Sequence, residues 1–162
     1  MERTILVPTD LHVGSLSTLK ACLAENVNGK VRVILMHAMH APEGISDLLF
    51  YSPRKVMNMR MGPAFKEAVA VLKNRFEQSL SRLEILPFHG ITQTAFDEFV
   101  KGHGVQEIHV TPAYEMRLTD RAMDPLPFVH KASVNVVEHG GAMVRISDMQ
   151  PSMDHLQLLF ER

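Results

Sequence analysis

There is no tryptophan among these 162 residues, and there are only two tyrosines and one cysteine. A single cysteine excludes an internal disulfide. Cys22 falls inside a helical apolar pattern, which predicts an inert buried thiol in a reducing compartment. No apolar run approaches the ~18 residues that a membrane-spanning helix needs. An excess of either charge is missing too. Lysine and arginine total 17 against 18 aspartates and glutamates, net −1, and they are scattered. No basic stripe points to nucleic acid and no acidic tail points to a cationic partner. The first strand pattern is under way by residue 4, so no targeting segment is expected ahead of it and the expected location is the cytoplasm. The most consequential absence is local: no glycine occurs from Val105 to His139, although the chain has nine.

What is present describes one α/β domain, expected over residues 1–147 with a tail at 148–162. A chain of this length buries about 70% of its unfolded surface, enough for a real core. Ile5, Leu6 and Val7 form a short buried strand (4–8) that stops at Pro8-Thr9-Asp10, leaving a carboxylate at its carboxyl end. In open α/β sheets that is where ligands sit. Leu16, Leu19 and Leu23, at spacings of three and four, predict a helix over 15–25, capped by Ser15 or Ser17 and stopped at Asn28-Gly29. Residues 31–38 are nearly all apolar, as a strand covered on both faces should be.

Residues 42–63 are punctuated by Pro42, Gly44, Pro53, Gly62 and Pro63, which predicts an irregular excursion with one helical turn at 45–50. Phe65, Val69, Leu72, Phe76, Leu80 and Leu83 then predict a long amphipathic helix over 64–83. Further strands are expected at 84–88, 106–111 and 142–146, and helices at 92–101 and 125–138, the last capped by Asp124 with Pro125 in its first turn. Strands and helices alternate throughout. Right-handed crossovers therefore place helices on both faces of a parallel sheet, a three-layer α/β sandwich of Rossmann-like type. In the tail, Leu156, Leu158 and Phe160 alternate, which suits a short strand or a docked arm.

The sequence resembles the universal stress protein family across nearly its whole length. Thr4-Ile-Leu-Val-Pro-Thr-Asp10, with Ser15 and Leu19 beyond it, is similar to that family's opening strand and helix. Val33-Ile-Leu-Met-His37-Ala38 is similar to its second strand, and His89-Gly90 to the end of its third. The resemblance implies a five-stranded parallel sheet in order 3-2-1-4-5, of the kind shared with the adenine nucleotide alpha hydrolases. It also implies a homodimer paired through the last strand, and a stress-response or regulatory role. In nucleotide-binding relatives the stretch corresponding to Pro8-Thr9-Asp10 lines the adenine and ribose region. Carried over, Pro8, Thr9 and Asp10 form half a pocket, walled by Ala38 and Val110.

The departure lies after the fourth strand. ATP-binding members carry Gly, two residues, Gly, nine residues, then Gly with Ser or Thr. Begun at Thr111, that motif falls on Thr111, Tyr114, Asp124 and Pro125. Bare glycine backbone is what lets main-chain amides wrap phosphate oxygens. Here Pro112 and Pro125 remove two amide donors, while Glu115, Asp120 and Asp124 oppose a triphosphate that Arg117 and Arg121 offset only in part. Tight ATP binding is not expected, and no cofactor is.

Other constellations are weaker. Asp10 equally suits a turn cap that accepts backbone amides. His37 and His40 share a strand end but have only Glu43 as a third metal ligand. Gly14-Ser-Leu-Ser17 lacks the second glycine of a nucleophile elbow. His12-Val-Gly14-Ser15 resembles the H-x-G-H signature of nucleotidyltransferases, with Ser15 where the second histidine is required. Met57, Met59 and Met61, beside Arg54, Lys55 and Arg60, suit a mobile loop covering the sheet edge, a lid, or a partner surface. The expectation is a non-enzymatic binding module. The alternative is a sensor that holds a nucleoside, nucleotide or other small ligand at the carboxyl ends of strands one and four. An enzyme using Asp10 with a nearby histidine stands behind both.

Overall fold

A computed structural model describes residues 2–26, 29–119 and 121–140. Five parallel strands, β1 (Arg3–Pro8), β2 (Val31–Ala38), β3 (Leu80–Phe88), β4 (Glu107–Val110) and β5 (Asn135–Glu138), form one sheet in the order β3-β2-β1-β4-β5. The helices are α1 (Leu16–Glu25, entered through a 3-10 turn at Val13–Ser15), α2 (Ile45–Leu49), α3 (Pro53–Arg60), α4 (Pro63–Arg75), α5 (Gln93–Gly102) and α6 (Leu126–His130).

Alternation along the strands builds two cores. Ile5, Val7, Val33 and Leu35 face α1 and α4, where Leu16, Leu19, Leu23, Phe65 and Leu72 close the layer. Leu6, Ile34, Met36 and Ile108 face α5 and α6, against Phe96, Val100 and Val129. Each fully buried leucine or phenylalanine contributes about 1.5–3 kcal/mol. β1 is therefore buried on both faces, and its carboxyl end at Pro8 is held firmly between β2 and β4.

Several boundaries differ from the sequence expectation. The helix expected over 64–83 ends at Arg75. Ser79 and Leu80 turn back on the Phe76 carbonyl, and Val31 N–H takes the Ser79 carbonyl, so Leu80 and Leu83 belong to β3. Both leucines still pack on the core that the helical spacing assigned them to, which is why the helix and strand patterns ran together. The helix expected over 125–138 stops at His130, and residues 135–138 are the fifth strand. Val134, Val136 and Val137 are β-branched, and their stiffness favours an extended backbone. The strand expected at 142–146, the dimer contact assigned to it, and the tail lie outside the described residues.

The excursion at 42–63 holds two helices where one turn was expected. α3 is capped by the Ser52 hydroxyl, which accepts from Lys55 N–H. Ser15 and Ser17 do not cap α1: Ser15 Oγ donates to His12 O at 2.8 Å and Ser17 Oγ to Gly14 O at 2.7 Å. Asp124 does serve α6, accepting from Leu126 N–H at 3.0 Å. Gly90 ends β3 tightly, since a Cβ there would fall 2.5 Å from the Phe88 ring.

β4 and β5 are pinned by two buried imidazoles. His109 Nδ1 and His139 Nε2 lie 2.8 Å apart, with Glu107 Oε1 3.5 Å from His109 Nε2 and Glu25 Oε2 3.6 Å from His139 Nδ1. Such a contact needs one proton between two nitrogens. Burial pushes His109 below its ordinary value of 6.5, and His139 lowers it further against the pull of Glu107. Burial depresses His37 in the same sense. The stability gained from these neutral rings is complete above pH 6.5 and is lost as the pH falls through the folded-state values, because the unfolded chain takes up protons first. Urea midpoints at pH 8 and pH 5 should show the wild-type chain losing more stability than His109→Gln. Equal losses would remove the pair from the explanation.

Candidate functional site

The residues singled out in the sequence do converge at one end of the sheet. Pro8 ends β1 and Thr9 and Asp10 follow it, Ala38 ends β2 and Val110 ends β4, and all five are buried. Ala38 and Val110 belong to the α5/α6 core. Thr9 N–H donates to Met36 O, and Thr9 Oγ1 and Ser15 Oγ share a hydrogen bond of 2.7 Å.

Asp10 serves as a turn cap and also as a clamp. Oδ1 accepts from His12 N–H at 2.9 Å, which closes the turn after β1. Oδ2 accepts from Tyr114 OH at 2.6 Å and from Arg117 N–H at 2.8 Å, both in the segment between β4 and α6. The carboxylate side chain is wholly shielded from solvent. Burial alone would raise its pKa. The bonds from the His12 side chain, the Arg117 amide, the Tyr114 hydroxyl and the His12 amide outweigh that, and the net shift is below the ordinary 3.8. Tyr114 is pushed well above the ordinary tyrosine range by burial and by the Asp10 charge, so its phenol stays protonated and donates.

The same segment is fastened elsewhere. Met123 N–H donates to Ala38 O and His40 N–H to Arg121 O, each at 2.8 Å, and Met39 pairs antiparallel with Ala122. Thr111 Oγ1 and Thr18 Oγ1 join β4's end to α1 at 2.7 Å. Arg60 of α3 reaches in from the other side. Its Nε donates to His37 Nε2 at 3.3 Å, while His37 Nδ1 bonds Thr9 O at 3.0 Å and so fixes the ring. Two non-glycine residues sit at positive φ here, Leu11 (64°) and Arg121 (62°). Left-handed backbone costs each about 1–2 kcal/mol, which the surrounding bonds must overcome. The segment after β4 is thus turned onto Asp10 and the end of β2 by side-chain and main-chain bonds.

No family model and no curated protein matches this sequence. Solved structures do. The universal stress protein UspA from Lactobacillus plantarum is 15% identical, with 84% of this chain and 96% of that one covered at a TM-score of 0.51. The hypothetical protein MJ0577 is 20% identical, with 86% and 96% covered at 0.53. A universal stress protein in complex with cAMP is 15% identical, with 88% and 98% covered at 0.50. The fold is that of the universal stress proteins. Its sheet order of 3-2-1-4-5 is the one observed here, and the universal stress protein fold brings β1 and β4 side by side, so that Asp10 meets the segment after β4.

Of the other candidates, His37 is buried and committed to Thr9 and Arg60, whereas His40 and Glu43 are exposed. Among the described residues no three His, Cys, Asp or Glu side chains gather as a metal site. Also among the described residues, no helix is long and apolar enough to cross a membrane. Cys22 is buried, and burial pushes its thiol up to about 12, which leaves it unreactive. The sequence reading missed Tyr114, Arg117, His12 and Arg60. Tyr114 was the one legible signal: an aromatic hydroxyl in a glycine-free segment needs a partner when buried, and Asp10 stood at the adjacent strand end.

Proposed function

We propose that this chain is a regulatory or stress-response binding module of universal-stress-protein type, acting as a homodimer, without catalysis and without tight ATP binding. One observation carries the reading. Asp10, the carboxylate expected beside a nucleoside, is already engaged by three bonds from His12, Tyr114 and Arg117 of its own chain. A nucleotide would have to displace these bonds and the antiparallel contact at Met39 and Ala122. Calorimetric titration with ATP and Mg²⁺ should give no saturable heat up to about millimolar nucleotide, a binding free energy no better than about −4 kcal/mol. A micromolar dissociation constant would overturn the proposal.

A second reading has its own support in the solved neighbour that holds cAMP. A nucleotide with a single phosphate makes smaller demands on the segment after β4, and release of Tyr114 would uncover Asp10 for its sugar. Tyr114→Ala is the discriminating variant. If the crevice is closed in the working protein, cAMP or AMP raises the melting temperature of Tyr114→Ala and leaves the wild-type chain unmoved. A shift in the wild-type chain makes it a sensor.

A further inference from the structure

A second recess lies away from Asp10, along the outer strand β3. It has a volume of about 1120 Å³, just above the roughly 300–1,000 Å³ typical of small-molecule sites. Its size suits a length of chain better than a single metabolite. Its character is cationic. Arg54, Lys55, Lys73, Arg82 and Arg32 line it, and the one carboxylate among the described lining residues, Glu84, is shared between Arg32 at 3.0 Å and Arg82 at 2.6 Å. Leu83 and Ile85, both partly buried, supply apolar surface.

The main chain of β3 is oriented for pairing. Among the described residues β3 ends the sheet order. Met39 N–H donates to Phe88 O, and alternation along the parallel ladder turns the groups of Leu83 and Ile85 away from β2, into the recess. Pro87 shares that outward register and has no amide, so the available edge is the earlier part of the strand. Cations and a proline on an outer strand are also what discourage a second copy from pairing there. In this recess the same cations make the edge selective.

We infer that the β3 edge takes up an extended acidic segment of a partner protein as a sixth strand. A chain alternating acidic and apolar residues satisfies both faces. Its carboxylates lie on the side of Arg32 and Arg82, which share one face of the sheet by register, and its apolar residues lie over Leu83 and Ile85 on the other. Pairing between two copies of this chain would set like charge on like, so the partner is a different, acidic protein. This inference is independent of whatever the Asp10 crevice does.

The test is fluorescence anisotropy of the full chain with a labelled peptide of about six residues, a common strand length, alternating Glu and Val. Three comparisons accompany it: the Lys–Val peptide, the Glu–Val peptide N-methylated at alternate amides, and the exposed-site variants Lys73→Glu and Arg82→Glu, checked for folding by circular dichroism. Saturable binding of the Glu–Val peptide is expected, weakened about tenfold or more by N-methylation in one of the two registers and by either reversal, with no binding of the Lys–Val peptide. Absence of saturable binding overturns the inference. So does binding that N-methylation leaves unchanged, which would be charge attraction without strand pairing. Concentration-dependent self-association lost in Arg82→Glu would replace the acidic partner with a second copy. Capture on phosphatidylserine vesicles without peptide binding would replace it with a lipid surface.

Discussion

Asp10→Ala should cost about 3 kcal/mol of folding stability, a fall of roughly 6–12 °C in melting temperature for a domain of this size. The carboxylate is fully shielded, and its removal strands three donors at once: His12 N–H, Tyr114 OH and Arg117 N–H. A buried donor without a partner costs about 1–3 kcal/mol, so two poorly rehydrated groups already account for the total. Asp10→Asn should cost less but still be clearly destabilising. Its amide keeps one acceptor oxygen, and whichever way it turns, its NH₂ meets a main-chain N–H that also donates, that of His12 or that of Arg117. The pH dependence carries a signature. The Asp10 pKa is lowered in the folded chain, so its contribution is fully present above the ordinary value of 3.8 and is lost as the pH falls through the folded-state value. Chemical denaturation at pH 7 and pH 3 should therefore show a smaller gap between wild type and Asp10→Asn in acid. A pH-independent gap would mean that Asp10 acts through packing and not through its charge.

This first result bears on function because the same bonds that stabilise the chain close the crevice. A carboxylate that already accepts three bonds from its own chain, two of them on Oδ2, has about one acceptor position left for a ligand's hydroxyl group. The strained backbones at Leu11 and Arg121 flank that closure. They are maintained by the bonds around them, and a ligand able to break those bonds would recover some strain. On the proposed reading, loosening the segment between β4 and α6 is what would free Asp10 for a ligand.

The sheet was legible in the sequence because its strands carry unambiguous signals. β2 is apolar throughout, and its expected bounds are those observed. β1 and α5 shift by a residue or so, since the caps and breakers at Asp10, Thr92 and Gly102 are local chemistry. Two junctions were not legible. At 76–83 the helical spacing continued across a turn whose cause is remote: the Ser79 carbonyl pairs with Val31, far away in the chain. At 131–138 a β-branched run competed with a helix start, and pairing with β4 decided it. The site was half legible. Asp10 could be placed at a strand end from its neighbours, but its partners Tyr114 and Arg117 are over a hundred residues on, and no spacing rule reaches that far. The missing glycines showed what the segment after β4 could not do. The hydroxyl of Tyr114 shows what it does.

Phe96→Ala should be the more damaging substitution, at about 3–5 kcal/mol, and its local consequence is the more informative. Phe96 is fully buried in an aromatic cluster, edge-on to Phe88 at 5.7 Å and stacked on Phe128 at 5.9 Å. Phe128 belongs to α6, which anchors the far end of the segment that closes the crevice. Truncation leaves a cavity beneath α6, and the loosening should pass back along residues 117–125. Hydrogen exchange of the Arg117 and Met123 amides, which donate to Asp10 and to Ala38, reports it directly. The control is Phe65→Ala in the opposite core, where a buried phenylalanine packs among α1, α4 and the other face of the sheet. Both variants should lose similar global stability, but only Phe96→Ala should let Arg117 and Met123 exchange ahead of global unfolding. Equal protection in the two variants would mean that the clamp at Asp10 holds the segment unaided, and that the α5/α6 core has no part in keeping the crevice shut.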